Sequence, residues 1–223
     1  MSIAHIIFDC DGVLVDSEPL SMRVDVEILA EGGVAMSEEE AHRRFVGKTF
    51  AAMIAEVEQE FRVAFQPGVE ADKDRRLLQL FQRELRPVPG VATALRRIAM
   101  HASVASNSPQ LRVAEALRIT GLLPYFGDRI ITFEHVSKAK PEPDIFIEAA
   151  RLAGAPPDRC LVIEDSVTGV TAASRAGCWV LGFTGTNPHP ARHGEQLKAL
   201  GAEAIFAHMS ELPALVETFI NPV

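Results

Sequence analysis

The chain has 223 residues, 48% of them hydrophobic, which is enough for one large domain or a domain with an insert and too apolar for a disordered polymer. A net charge of −8 and a pI near 5.4, with no run of basic residues, exclude a general attraction to nucleic acid or to anionic membrane surfaces. Three cysteines (Cys10, Cys160, Cys178) at unrelated spacings in apolar contexts read as reduced core residues. No basic leader precedes an unbroken apolar stretch, and no apolar run approaches about 18 residues, so a soluble cytoplasmic protein is expected.

Ile3, Ile6, Ile7 and Phe8 predict a strand that ends in two carboxylates, Asp9 and Asp11, separated by Cys10. Asp followed by Gly12 is also a common turn signal, so the pair has an ordinary reading as turn formers. From Glu18 to about Arg86 the pattern is helical throughout. Leu20, Val24 and Ile28, then Met53, Ile54, Val57 and Phe61, then Leu77, Leu78, Phe81 and Leu85 recur at three- and four-residue spacings.

From Val88 onward the texture changes. Short β-rich runs at Ser103–Ala105, Ile130–Thr132, Leu161–Ile163, Trp179–Leu181 and Ala204–Phe206 alternate with helical stretches. That alternation predicts βα units and a parallel, Rossmann-like sheet. The fold expectation is therefore an α/β core of residues 1–15 and 88–223 with an all-helical insert, or cap, at 16–87. Asp16-Ser17 and the segment Arg86–Gly90 serve as hinges, the second stiffened by Pro87 and Pro89. Ligands of open α/β sheets bind beyond the carboxyl ends of the strands, and an insert leaving from that edge is expected to cover the site.

Three later segments add polar groups to the same edge. Ser106, Asn107 and Ser108 follow one strand, Glu164, Asp165 and Ser166 follow another, and Lys140 lies between them in Lys138–Asp144. Each has an ordinary alternative: the serine-containing runs could cap helices, and Lys140 could be a surface lysine. Together they form one candidate site of four carboxylates, two small hydrogen-bonding side chains and an ammonium. Carboxylates gathered so closely repel one another unless a cation joins them, and oxygen-rich ligation with room for water and phosphate suits Mg²⁺. Lys140, Ser106, Asn107 and backbone N–H groups after Asp9 could hold a phosphoryl group. Asp9 would then attack phosphorus to form an aspartyl-phosphate, with Asp11 giving a proton to the leaving alcohol and later taking one from water.

These residues, quoted in order, carry a family resemblance. Asp9-Cys10-Asp11-Gly12-Val13, Ser106-Asn107, Lys140-Pro141 and Glu164-Asp165 match the four motifs of the haloacid dehalogenase superfamily over nearly the whole chain. The chain resembles the branch with a helical cap after the first strand, which includes phosphoglycolate phosphatase, sugar-phosphate phosphatases and β-phosphoglucomutase. The resemblance implies Mg²⁺ held by Asp9, the backbone carbonyl of Asp11, Asp165 and, directly or through water, Glu164. It implies phosphate held by Ser106, Asn107 and Lys140, and a short flap beginning at Gly12 and Val13.

Carbon–halogen and phosphonate cleaving relatives generally lack the second acid, so Asp11 favours phosphate-ester chemistry. β-Phosphoglucomutases typically carry a histidine where Ser21 stands and an arginine where Phe50 stands, three residues after the cap-loop glycine Gly47; both departures favour hydrolysis over the mutase alternative. The expected partner is a small phosphorylated metabolite, such as a sugar, polyol or sugar-acid phosphate, and the oligomeric state is open, a monomer being compatible with the sequence. Lys48 and Thr49 could contact the substrate from the cap, although a solvated lysine at a helix start explains Lys48 equally well.

Other signals are weaker. Gly47-Lys48-Thr49 ends like a nucleotide-binding phosphate loop, but His42 stands where the first glycine is required. His189 and His193 could share a helix face as metal ligands, yet Pro190 follows the first and a surface helix start explains them better. A cysteine-phosphatase reading of Cys10 lacks the arginine that loop needs. A catalytically silent binding protein would be expected to have lost Asp9, Asp11, Lys140 or Asp165, and all four are present.

Overall fold

The computed structural model describes residues 2–45 and 48–220; Gly47 of the cap-loop reading lies outside them. In chain order, β1 (His5–Phe8) is followed by four helices, α1 (Glu18–Glu31), α2 (Glu38–Phe45), α3 (Phe50–Phe61) and α4 (Val69–Glu84). Then come α5 (Val91–Arg97), β2 (Ala102–Ser106), α6 (Gln110–Ile119), α7 (Leu123–Phe126), β3 (Ile130–Thr132), α8 (Asp144–Leu152) and β4 (Cys160–Glu164). The chain finishes with α9 (Val167–Ala176), β5 (Trp179–Phe183), α10 (Pro190–Ala199), β6 (Ala204–Phe206) and α11 (Leu212–Ile220). Two compact units result: Met1–Asp16 with Arg86–Val223, and Ser17–Leu85.

The first unit is a six-stranded, all-parallel sheet of order β3-β2-β1-β4-β5-β6, a Rossmann-type arrangement. β1 is central, and its four residues are buried on both faces, which explains why its sequence is apolar without alternation. Ile7 joins Ala105 and Val162 under α8 and α9, while the ring of Phe8 meets Phe126 of α7 edge-on at 5.9 Å. Helices therefore cover both faces. Truncating Ile7 in such a core costs about 2–5 kcal/mol.

The strand order reverses at β1. The chain runs outward through β2 and β3 on one side, then returns to place β4 on the other. This switch point opens a crevice at the carboxyl ends of β2, β1 and β4, the place where such sheets bind ligands. The two chain crossings at the edge of this unit lie side by side: the N–H of Asp16 donates to the carbonyl of Arg86 at 3.0 Å, and that of Val88 to Leu14 at 3.0 Å.

The helical unit has its own core of Leu29, Val34, Ala41, Phe45, Met53, Ile54 and Val57. Pro19 starts α1, where its missing N–H costs nothing, and the Thr49 hydroxyl accepts from the N–H of Ala52 at the start of α3. A buried ion pair, Lys73 to Asp25 at 2.6 Å, ties α4 to α1. No helix among the described residues is long and apolar enough to cross a membrane. Cys10 and Cys160 are buried and Cys178 is half-buried, all three as free thiols, as their apolar contexts suggest.

Candidate active site

Asp9 leaves the end of β1 with its N–H bonded to the carbonyl of Ile163, so the two central strands are still paired where the first acid begins. Its carboxylate is buried. The Lys140 ammonium reaches it at 2.6 Å, reaches Glu164 Oε1 at 2.7 Å, and donates to the carbonyl of Ala105 at 2.9 Å. Three acceptors meet three N–H donors, which is what an ammonium needs when little water reaches it. Burial works against the charge on Lys140, but Asp9 and Glu164 outweigh it and hold the ammonium above the usual lysine range. Burial pushes the Asp9 carboxyl up to about 8; Lys140 pulls it back, while Glu164 and Asp11 add like-charge repulsion.

Asp9, Glu164 and Asp165 each offer a carboxylate oxygen within 4.8 Å of the others. This donor set fits a hard divalent cation, which would offset both the burial and the like-charge repulsion that disfavour the ionised Asp9 carboxyl. Two glycines make the crowding possible. A Cβ on Gly12, whose φ is +83°, would lie 2.1 Å from Asp165 Oδ2; one on Gly169 would lie 1.7 Å from Glu164 Oε1. Ser166 completes the corner: its N–H and hydroxyl donate to Glu164 Oε2 at 2.8 and 3.0 Å, and its oxygen accepts from the N–H of Gly169 to cap α9. The capping alternative for this run therefore holds, and Ser166 bonds the Glu164 carboxylate as well.

The run after β2 behaves differently from a helix cap. Pro109 occupies the cap position of α6 without a side-chain bond, and the Ser108 hydroxyl donates instead to Asp11 Oδ2 at 2.6 Å. Ser106 reaches the same oxygen at 3.5 Å and accepts from the N–H of Ser108 at 3.0 Å. Arg112, one turn into α6, donates to the Ser108 oxygen at 2.7 Å. Asp11 is therefore gripped from the β2 side, while the three clustered acids gather on the β4 side. Asn107 donates its amide to the Lys140 carbonyl at 3.1 Å and accepts from the Lys140 N–H at 3.0 Å, so its side chain holds the backbone of the lysine.

Arg112, Gly169 and Thr186 escape the sequence reading as site residues, Ser108 enters it only as a polar group at the edge, and His193 is set aside there as a surface helix start. Thr186 donates to the Gly12 carbonyl at 2.9 Å, and His193 bonds the Asp165 carbonyl. Their signal was positional, since both follow β5, another strand opening on the same edge. Burial and the neighbouring Asp11 and Asp9 push the Cys10 thiol well above its ordinary range. In the helical unit Lys48 pairs with Glu56 and lies 5.5 Å from the Phe45 ring centre. Lys48, Thr49, Ser21, Phe50 and Lys73 border a cavity of about 150 Å³ contained in that unit.

The comparisons bear on family and fold. A family model for haloacid dehalogenase-like hydrolases matches residues 3–177. The 6-phosphogluconate phosphatase of Escherichia coli K12 is 30% identical over 217 residues, covering 96% of this chain and 94% of its own. Among solved structures, a conserved haloacid dehalogenase-like protein of unknown function from Agrobacterium tumefaciens C58 superposes with a TM-score of 0.86 at 36% identity, covering 98% of this chain and all of the other. A HAD family hydrolase from Deinococcus radiodurans R1, crystallised with bound phosphate and sodium, gives 0.79 at 31% identity, covering 100% and 99%. Motif order, sheet topology and these matches converge, and the chain belongs to the haloacid dehalogenase-like hydrolases.

Proposed function

We propose that the protein is a Mg²⁺-dependent phosphatase of a small phosphorylated metabolite, a sugar, polyol or sugar-acid phosphate, acting through an aspartyl-phosphate on Asp9. The observation that carries this reading is the ammonium of Lys140 set between Asp9 and Glu164, with Asp165 completing a three-carboxylate cluster. Asp9, Asp165 and the backbone carbonyl of Asp11 would hold the ion, with Glu164 direct or through water. When bound, the ion neutralises the carboxylates and the phosphoryl oxygens, so that two anions can approach.

The Asp9 carboxylate attacks phosphorus, and the ester oxygen leaves with a proton from Asp11. The phosphoryl group passes to Asp9 while Lys140, the Ser106 hydroxyl and the Asn107 N–H hold its oxygens. Asn107 thus contributes main chain at the phosphate and side chain at Lys140. Asp11, now a base, takes a proton from water, the water oxygen bonds to phosphorus, and the Asp9–phosphorus bond breaks to release inorganic phosphate. Ser108 aims Asp11 for both proton transfers.

Hydrolysis is preferred to phosphosugar transfer because Ser21 and Phe50 occupy the positions where mutases carry histidine and arginine. Phe50 also lies 4.4 Å beneath the Lys73 ammonium, an arrangement an arginine there would lose through like-charge repulsion. The test is phosphate release with Mg²⁺ over a panel of 6-phosphogluconate, hexitol phosphates, fructose 1-phosphate and phosphoglycolate. Conversion of β-glucose 1-phosphate to glucose 6-phosphate with a bisphosphate activator, faster than any hydrolysis, would transfer the assignment to the mutase. Silence across the panel would transfer it to a binding protein.

A further inference from the structure

One peptide unit sits at the centre of the acidic cluster. The N–H of the Asp165–Ser166 peptide donates to Glu164 Oε2 at 2.8 Å, and the carbonyl of the same peptide accepts from His193 Nε2 on α10. A carbonyl can only accept, so Nε2 carries the proton. The peptide is fixed at both ends, with the Asp165 side chain projecting from it and the Glu164 carboxylate bonded to it. Donation to the carbonyl also polarises the peptide and strengthens its N–H as a donor to Glu164.

The same β5–α10 segment makes a second hold. Thr186 donates to the carbonyl of Gly12, the residue whose missing Cβ leaves room for Asp165 Oδ2. The segment itself is anchored away from the acids. The Thr184 N–H bonds the Phe206 carbonyl at 2.9 Å, the Asn187 side chain accepts from the His189 N–H, and His193 N–H bonds the His189 carbonyl. A Cβ on Gly185 would lie 2.2 Å from the Ala207 carbonyl, so the loop rests directly on the chain after β6.

We infer that His193, assisted by Thr186, is a positioning residue of the cation site: it holds the Asp165–Ser166 peptide so that Asp165 and Glu164 present their carboxylates together. This rests on the reading of the acids as a divalent-cation site. Groups that orient metal ligands in this way typically contribute about 10–100-fold to metal affinity.

The test uses the full chain and Mn²⁺ as probe, with free Mn²⁺ followed by electron paramagnetic resonance, alongside thermal melts in EDTA. His193→Ala should weaken Mn²⁺ binding about tenfold or more with an unchanged melt. His193→Gln, which keeps an N–H donor near the position of Nε2, should recover most of the loss. Thr186→Val should weaken binding by a smaller factor, and KM for the phosphate ester at saturating metal should stay within about twofold of wild type in all three. Wild-type affinity in His193→Ala, or a loss that His193→Gln does not recover, overturns the inference. If His193→Ala does not fold, His193→Leu, which fills the space but offers no donor, takes its place, and wild-type affinity in it overturns the inference. Failure of the wild type itself to bind Mn²⁺ instead overturns the cation reading beneath it.

Discussion

Lys140 Nζ lies 2.6 Å from Asp9 Oδ1 while nearly all of both side chains is out of water. A buried pair of this kind is costly to break, because removing one partner strands the other as an uncompensated charge. Lys140→Met should therefore destabilise the fold by about 3–5 kcal/mol at pH 8 in urea unfolding, besides abolishing turnover. The penalty should grow as the pH rises above 8, where Asp9 ionises beside Lys140 in the wild type but has no ammonium to meet it in the variant. A penalty independent of pH would mean that the carboxylate is not stranded.

Asp9→Asn should separate stability from activity. In the fold the carboxyl of Asp9 is raised from an ordinary 3.8 to about 8, so above pH 8 the metal-free fold bears the full cost of ionising it. As the pH falls below 8 the folded protein takes up a proton that the unfolded chain does not bind until about pH 4, and the cost is relieved. In EDTA the variant should melt above wild type at pH 8.5, with the difference closing toward pH 5, and should release no phosphate at either pH. A variant that melts below wild type at pH 8.5 would contradict this account of the charge cluster.

Gly169→Ala pits helix propensity against space. Alanine is favoured over glycine inside a helix by about 1 kcal/mol, yet the new Cβ would sit 1.7 Å from Glu164 Oε1. Backbone and a buried carboxylate must both move, and overpacking of this kind costs about 1–3 kcal/mol. The clash should win, giving a lower melting temperature and a weaker metal dependence. A stabilised, fully active variant would show that the Glu164 corner is not built as described.

The three thiols should be slow to react. Burial raises Cys160 to about 11 and Cys178 to about 12, and Cys10 is raised well beyond its ordinary range beside two acids. Since the thiolate is the nucleophile, iodoacetamide at pH 7.5 should leave turnover intact over the time that modifies an exposed thiol completely. Rapid inactivation, with the label on Cys10, would revive a role for that sulfur.

Much of the site was legible because the physics that places it also marks the sequence. β1, β2 and β4 are buried on both faces, so their apolar runs stop abruptly at Asp9, Ser106 and Glu164, and the charges at those stops are conspicuous. The reading was thinner where the work is done by main chain or by empty space. Thr186 and His193 act on carbonyl groups, which every residue possesses, and Gly169 acts by lacking a side chain. Asn107 was legible as polar, but its hold on Lys140 depends on a long-range juxtaposition that spacing does not encode. In the helical unit the periodicity gave helices, whereas Lys48 turning to Glu56 depends on how the loop before α3 folds back along that helix.

In the proposed mechanism the phosphoryl group resides for a time on Asp9. Rapid quenching of the enzyme during turnover of 6-phosphogluconate or another substrate found in the panel, followed by borohydride reduction and peptide mass analysis, tests it directly. Homoserine is expected at position 9, absent without substrate and absent in Asp9→Asn. An unmodified Asp9 in an enzyme shown to be turning over, with the reduced residue at another position or nowhere, would contradict that mechanism.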